Sequence, residues 1–133
     1  MRKLSALLAA VVLVCGLTLV NSGTASATGA WLGCRVSPGR ITTWSQYCSN
    51  SQGASWYNAG FLVQDAPAPL SYTWSVPAGY SVYAYCGSTD NSCGVVVHQG
   101  DYITVTVTLN YSDHSESYSA IAAIEPYCGS MPC

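Results

Sequence analysis

Charge is what this chain has least of. Charged residues make up 8% of its 133 positions, and Lys3 is the one lysine. From residue 28 onward the cations are Arg35 and Arg40, set against Asp65, Asp90, Asp101, Asp113, Glu116 and Glu125. A nucleic-acid backbone needs clustered cations, so no nucleic-acid partner is expected. The same poverty argues against anionic membrane surfaces. Histidine is almost as scarce, with His98 and His114 the two candidates for proton transfer. His98 precedes the Gln99-Gly100 turn and His114 sits in a polar turn, and no Gly-x-Ser-x-Gly elbow accompanies them, so both read as ordinary surface or turn histidines.

Metal and acid–base patterns are missing as well. There is no Cys-x-x-Cys, and oxidised cysteines cannot serve as thiolate ligands. The six carboxylates are scattered and nominate no catalytic pair. Asp90-Asn91, with Asp65 or Asp113 nearby, offers oxygens to calcium, but the spacing matches no EF-hand, and turn formation accounts for both residues. The sequence therefore points to no catalytic residue, no cofactor and no metal, with a small hydrolase as the enzyme-class rival.

One long apolar run is present. Met1-Arg2-Lys3 is basic, Leu4 to Val20 is almost wholly apolar, and Ala25-Ser26-Ala27 supplies the small residues a signal peptidase reads. This pattern predicts a signal peptide over 1–27, removed to leave one extracellular domain over 28–133. Cys15 lies inside the apolar run, in a context unlike a lipoprotein signal. Of the seven cysteines, setting Cys15 aside leaves an even set, which in an exported protein reads as a disulfide framework. Spacing favours Cys34 with Cys48, Cys86 with Cys93, and Cys128 with Cys133; a long-range bridge from Cys34 or Cys48 to Cys128 is the main rival. The first pair is expected to face across a hairpin in which Trp31–Val36 goes out and Ile41–Cys48 returns.

The clearest element is the stretch 101–111. Ile103, Val105, Val107 and Leu109 alternate with Thr104, Thr106 and Thr108, which is the pattern of a half-buried strand. Burying its four aliphatic side chains is worth roughly 6–12 kcal/mol, so the core must form against this face. Shorter strands are expected at Gly60–Val63, Leu70–Val76, Tyr80–Cys86, Gly94–His98 and Tyr118–Ile124, with 50–59 as a loop. Trp74 is expected in the core with Leu70, Tyr72 and Val76. Seven or eight short strands at roughly ten-residue spacing, without a helix, make the fold class all-β, a disulfide-stapled β-sandwich.

What replaces charge is aromatic and small polar residues. Ten tyrosines and four tryptophans are more than one small domain can bury, and with Ser, Asn and Gly they give a paratope-like composition. Trp44, Trp56, Tyr57, Tyr83 and Tyr85 are the candidates for an exposed binding patch, with Asp90 and Asn91 in the disulfide loop added as possible contacts. The plainer alternative is that Ser and Thr keep a sheet face soluble and the rings are scattered.

Within residues 71–109, Ser-Tyr-Thr-Trp-Ser-Val-Pro-Ala-Gly and His-Gln-Gly-Asp-Tyr-Ile-Thr-Val-Thr-Val-Thr-Leu resemble the PKD-like and immunoglobulin-like modules of secreted bacterial proteins. Tyr72, Trp74, Val76, Pro77 and Gly79 match the Tyr-x-Trp-x-Val-Pro-x-Gly strand and corner; Gly100, Tyr102 and the Val-Thr run match the closing strand. The Gly-Asp-Gly turn of the stricter pattern is missing, and three disulfides exceed the usual number. The resemblance implies an immunoglobulin-like sandwich that recognises or positions something, and it carries over no functional residue. The expected role is a secreted, non-enzymatic module that binds a protein partner, as an adaptor or accessory subunit. The alternatives are a carbohydrate-binding module and an enzyme inhibitor that uses the Cys86–Cys93 loop.

Overall fold

The computed structural model describes residues 29–39 and 43–133. The expected signal segment with Cys15, and Arg40 and Ile41 at the expected return of the first hairpin, lie outside the described residues. Among the described residues the fold is all-β, with ten strands rather than seven or eight. In chain order they are β1 (Trp31–Ser37), β2 (Tyr47–Ser49), β3 (Tyr57–Gln64), β4 (Ser71–Ser75), β5 (Ser81–Tyr85), β6 (Ser92–Val97), β7 (Tyr102–Asn110), β8 (Ser115–Ala123), β9 (Tyr127–Cys128) and β10 (Met131–Pro132). One four-stranded sheet has the order β1-β3-β6-β5, a second has the order β2-β8-β7-β4, and β9 and β10 form a short ribbon. The surplus strands are short pieces, β2 and the tail ribbon, too brief to show any period in the sequence.

The strand β7 behaves as its alternation requires. Ile103, Val105, Val107 and Leu109 are buried, while the threonines between them face outward. The first sheet contributes Leu32, Val36, Phe61, Val63, Val95 and Val97, and residues of both sheets belong to one core cluster. On the outward face of the second sheet the hydroxyls pair across strands, Thr106 Oγ1 with Ser119 Oγ and Thr108 Oγ1 with Ser117 Oγ, each at 2.8 Å. Asn110 Nδ2 donates to Ser71 Oγ and Thr73 Oγ1. Much of the Ser/Thr content is thus a cross-strand ladder.

All three expected disulfides are present. The first, however, does not staple a hairpin. Cys34 lies in β1 of one sheet, whereas Cys48 lies in β2, which pairs in parallel with β8 of the other through Tyr47↔Ile121 and Cys48↔Ala122. The segment 43–49 crosses between sheets and pairs with β1 at the isolated Cys34↔Ser45 bridge. Closing a loop of this length contributes about 3 kcal/mol through the unfolded state. Here it also fixes one sheet edge to the other.

Three further expectations need correction. Residues 57–59 are strand, not loop: Tyr57, Ala59, Phe61 and Val63 share the inward phase of β3, but small Ala59 and Gly60 hide that phase in the sequence. Leu70 lies before β4 and is 74% exposed, and Trp74 is only half-buried, its indole Nε1 donating to Asp90 O at 2.9 Å. The strand expected over Tyr80–Cys86 spans Ser81–Tyr85 and carries a register shift between Val82 and Ala84, with Val82 exposed.

Val105 has no exposed surface, so Val105→Asp would bury an unpaired charge. The expected result is a loss of about 4 kcal/mol or more, a large share of the roughly 5–15 kcal/mol stability of a typical domain. Denaturant unfolding of the oxidised protein checks this; a cooperative melt close to wild type would displace β7 from the core.

Candidate functional site

The inward phase of the first sheet is apolar, and its outward phase is unusual in being poor in side chains. Cys34, Phe61, Cys93 and Val95 point inward, which leaves Gly33 and Arg35 of β1, Gly60 and Leu62 of β3, and Ser92 and Gly94 of β6 facing out. The register places Arg35 beside Gly60 and Gly60 beside Gly94. The result is a nearly bare strip of backbone across three strands.

Aromatic rings lie down on that strip. A Cβ on Gly94 would come within 2.6 Å of the Tyr83 ring, and one on Gly33 would meet Trp31 and Trp44 at 2.9 Å. Only glycine permits such close approach of a ring to the backbone. Trp44 is held from the other side by Arg35, whose guanidinium carbon sits 4.4 Å from the ring centroid, a cation–π contact. The neighbouring Ser45 is bonded to Cys34, with Cys34 N donating to Ser45 O at 2.7 Å. Trp31 is tied by its Nε1 donating to Asp65 Oδ2 at 3.2 Å.

Trp44, Tyr83 and Tyr85 converge on one groove of about 310 Å³ with Gly60 and Gly94 in its floor. Tyr83 is the bulged residue of β5, and bulges re-aim side chains. Tyr85 and Cys86 follow with φ of 60° and 71°, a left-handed pair of non-glycine residues. No side chain lining the groove carries charge at neutral pH.

The remaining candidates fall elsewhere. Tyr57 is fully buried, its hydroxyl donating to Gln52 O at 3.0 Å and accepting from Ala54 N at 2.7 Å, so it organises a loop and cannot join an exposed patch. Trp56 is exposed but does not line the groove. Asp90 closes its own turn, its Oδ2 accepting from Gly87 N at 2.8 Å, and exposed Asn91 gives its carbonyl to Val63 N at 2.9 Å. Sequence reasoning missed Trp31, Leu62 and the glycine floor; glycines at the outward phase of successive strands were the signal. It also missed Tyr47 and Tyr102, which are exposed on the other sheet.

Both histidines sit beside carboxylates. Asp101 Oδ2 accepts from the His98 backbone N–H at 2.7 Å, which fixes the turn, and lies 3.7 Å from His98 Nδ1. His114 stacks on Tyr111, with Nδ1 2.7 Å from Asp113 Oδ1 and Nε2 3.4 Å from Glu116 Oε1. The Tyr118 hydroxyl donates to Glu116 Oε2 at 2.7 Å. The hydrogen bond to Asp113 raises the His114 pKa, and its reciprocal lowers that of Asp113. Among the described residues no group of three His, Cys, Asp or Glu side chains is placed to hold a metal, and no helix is long and apolar enough to cross a membrane.

Comparison of the chain with models of protein families, with curated proteins and with solved structures found no match.

Two outcomes test this geometry. Gly94→Ala should expel the exposed Tyr83 ring from its seat at little cost to stability; loss of the NMR contacts between Tyr83 and β6, with a melting temperature near wild type, is the expected result. For His114, a raised folded pKa means its stabilisation is complete below the ordinary value of about 6.5 and is lost as pH rises through the folded value. The lowered Asp113 contributes above its ordinary value of about 3.9 and is lost as pH falls through its own folded value. Ring-proton titration should give His114 a midpoint above the ordinary one, and Asp113→Asn should lower it.

Proposed function

We propose that this chain is a secreted, disulfide-stapled, immunoglobulin-like β-sandwich that works by binding, without catalysis, and that its contact surface is the groove walled by Trp44, Tyr83 and Tyr85. The observation that carries this reading is the convergence of three rings, from two separate stretches of chain, on a glycine floor. Large rings cost little conformational entropy to hold, and an accessible cluster of them on a small domain marks a contact site. The three disulfides fit an oxidising, extracellular setting.

The ligand class that suits the groove best is carbohydrate. Its lining is uncharged and ring-walled, and a neutral sugar offers apolar C–H faces for stacking with hydroxyls around the rim. A protein partner, as for an adaptor, is the second reading. It is favoured by β5, an edge strand with no charged residue and with Val82, Tyr83 and Tyr85 exposed. That edge is short and broken at Tyr83, which limits strand addition. The inhibitor reading is the third, less favoured because the Cys86–Cys93 loop is hydrogen-bonded to β4. Tyr72 N donates to Ser88 O at 2.8 Å and Trp74 Nε1 to Asp90 O at 2.9 Å, which fastens the loop against β4.

The double variant Tyr83→Ala with Tyr85→Ala is expected to keep the wild-type melting temperature, since both rings are exposed. Binding on a glycan array, or to a captured extracellular protein, should fall about ten-fold or more. Unchanged binding by the folded variant would remove the groove from the function.

A further inference from the structure

The outward row of β6 does not end at the aromatic groove. Ser92 and Gly94 lie in that groove, and Val96 and then His98 continue the same phase, because Cys93, Val95 and Val97 point into the core. Over Val96 and His98 lies a second depression of about 340 Å³, walled by Tyr80, Ser81 and Asp101. Ser81 pairs with Val96 across β5 and β6, so its hydroxyl shares this outward face. At about 3.3 Å per residue the two depressions are centred roughly 13 Å apart along one strand. Tyr83, lying over Gly94, stands at the boundary between them.

The two ends differ in chemistry. The first is apolar, uncharged and walled by rings. The second gathers two hydroxyls, an imidazole and a carboxylate, all groups that exchange hydrogen bonds with sugar hydroxyls. Burial and the nearby Asp101 charge raise the Tyr80 pKa, so this phenol stays a hydrogen-bond donor at neutral pH. Asp101 and His98 are not poised as a catalytic pair, since the 2.7 Å bond to Asp101 Oδ2 comes from the backbone N–H of His98 and the ring nitrogen stands at 3.7 Å.

We propose that the two depressions are successive subsites for one extended, neutral oligosaccharide, with a sugar ring stacked between Trp44, Tyr83 and Tyr85 and a later ring hydrogen-bonded by Ser81, His98 and Asp101. This rests on the carbohydrate reading of the groove and adds a direction and a minimum length to it. Charge disfavours an acidic group at the second subsite, because the carboxylate of Asp101 faces it. Geometry selects against an extended peptide. The ligand lies on a sheet face, where the strands' backbone groups are already paired, and a peptide there would leave its own backbone groups to water.

The test is calorimetric titration of the purified, oxidised protein with neutral gluco-, xylo- and chito-oligosaccharides, from the monosaccharide to the hexamer. Affinity should rise by about ten-fold or more once the chain spans both subsites, as two or more added hydrogen bonds imply. Ser81→Ala with His98→Ala should abolish that rise and spare binding of the shortest ligand; both residues are exposed, so the fold is retained. Tyr83→Ala with Tyr85→Ala should abolish binding at every length. The His98 ring resonances should move with long ligands and stay still with short ones. Affinity that is flat with length, or a rise that survives in the Ser81 and His98 variant, overturns the second subsite and leaves the groove reading standing. No saccharide binding at any length overturns both, and a protein partner whose capture needs Tyr83 then takes their place.

Discussion

Burial of the alternating face of β7 is the constraint on which the rest depends. Once Ile103, Val105, Val107 and Leu109 are inside, the period of two decides which side chains of every paired strand point in and which point out. The other sheet contributes apolar residues from β1, β3 and β6 to the same core cluster. The outward faces of the two sheets differ in kind. One carries hydroxyls paired across strands. The other is stripped to glycine and covered by rings. The Cys34–Cys48 bridge ties the two halves together and, through the adjoining Ser45, holds Trp44 over the glycine strip. A link that stabilises the fold thus also positions the site.

Legibility in the sequence follows the range of the interaction. The strand β7 is readable because β-branched residues and strict alternation agree locally. The three disulfide pairs are readable because each closes a short loop. What those loops connect is not, since Cys34–Cys48 looks the same in sequence whether Cys48 returns beside β1 or crosses to join β8, and the parallel pairing with β8 spans more than seventy residues. Tyr57 illustrates the converse: its inward phase is real, but Ala59 and Gly60 dilute the signal, so a core residue reads as a loop aromatic.

The site was half legible. Trp44, Tyr83 and Tyr85 are recognisable as rings beyond what the core can hold, and they do line one groove. Their convergence is not, because it depends on register: Gly60 must fall beside Gly94, and Tyr83 must be displaced by a bulge to cover it. Trp56, Asp90 and Asn91 have the same compositional credentials and lie elsewhere. Composition identifies residues with something to spare; pairing decides which of them meet.

The departures from regular structure argue for where that meeting matters. A strand serving only to close the sheet has no need of a register shift at Val82/Ala84, nor of left-handed backbone at Tyr85 and Cys86. Non-glycine residues in that region cost about 1 kcal/mol or more each, and they persist where the surroundings over-determine them. Here the surroundings are the Cys86–Cys93 bridge and the Cys86 N–H donated to Ser92 O at 3.1 Å. The opposite edge strand, β4, pairs with β7 in unbroken register over Ser71–Ser75. Irregularity, close ring-to-backbone contact and exposed aromatic surface therefore coincide on one flank of one sheet. The left-handed backbone and the exposed rings raise the free energy of the isolated fold, and their coincidence with the glycine contact sets the groove apart from a scatter of surface tyrosines.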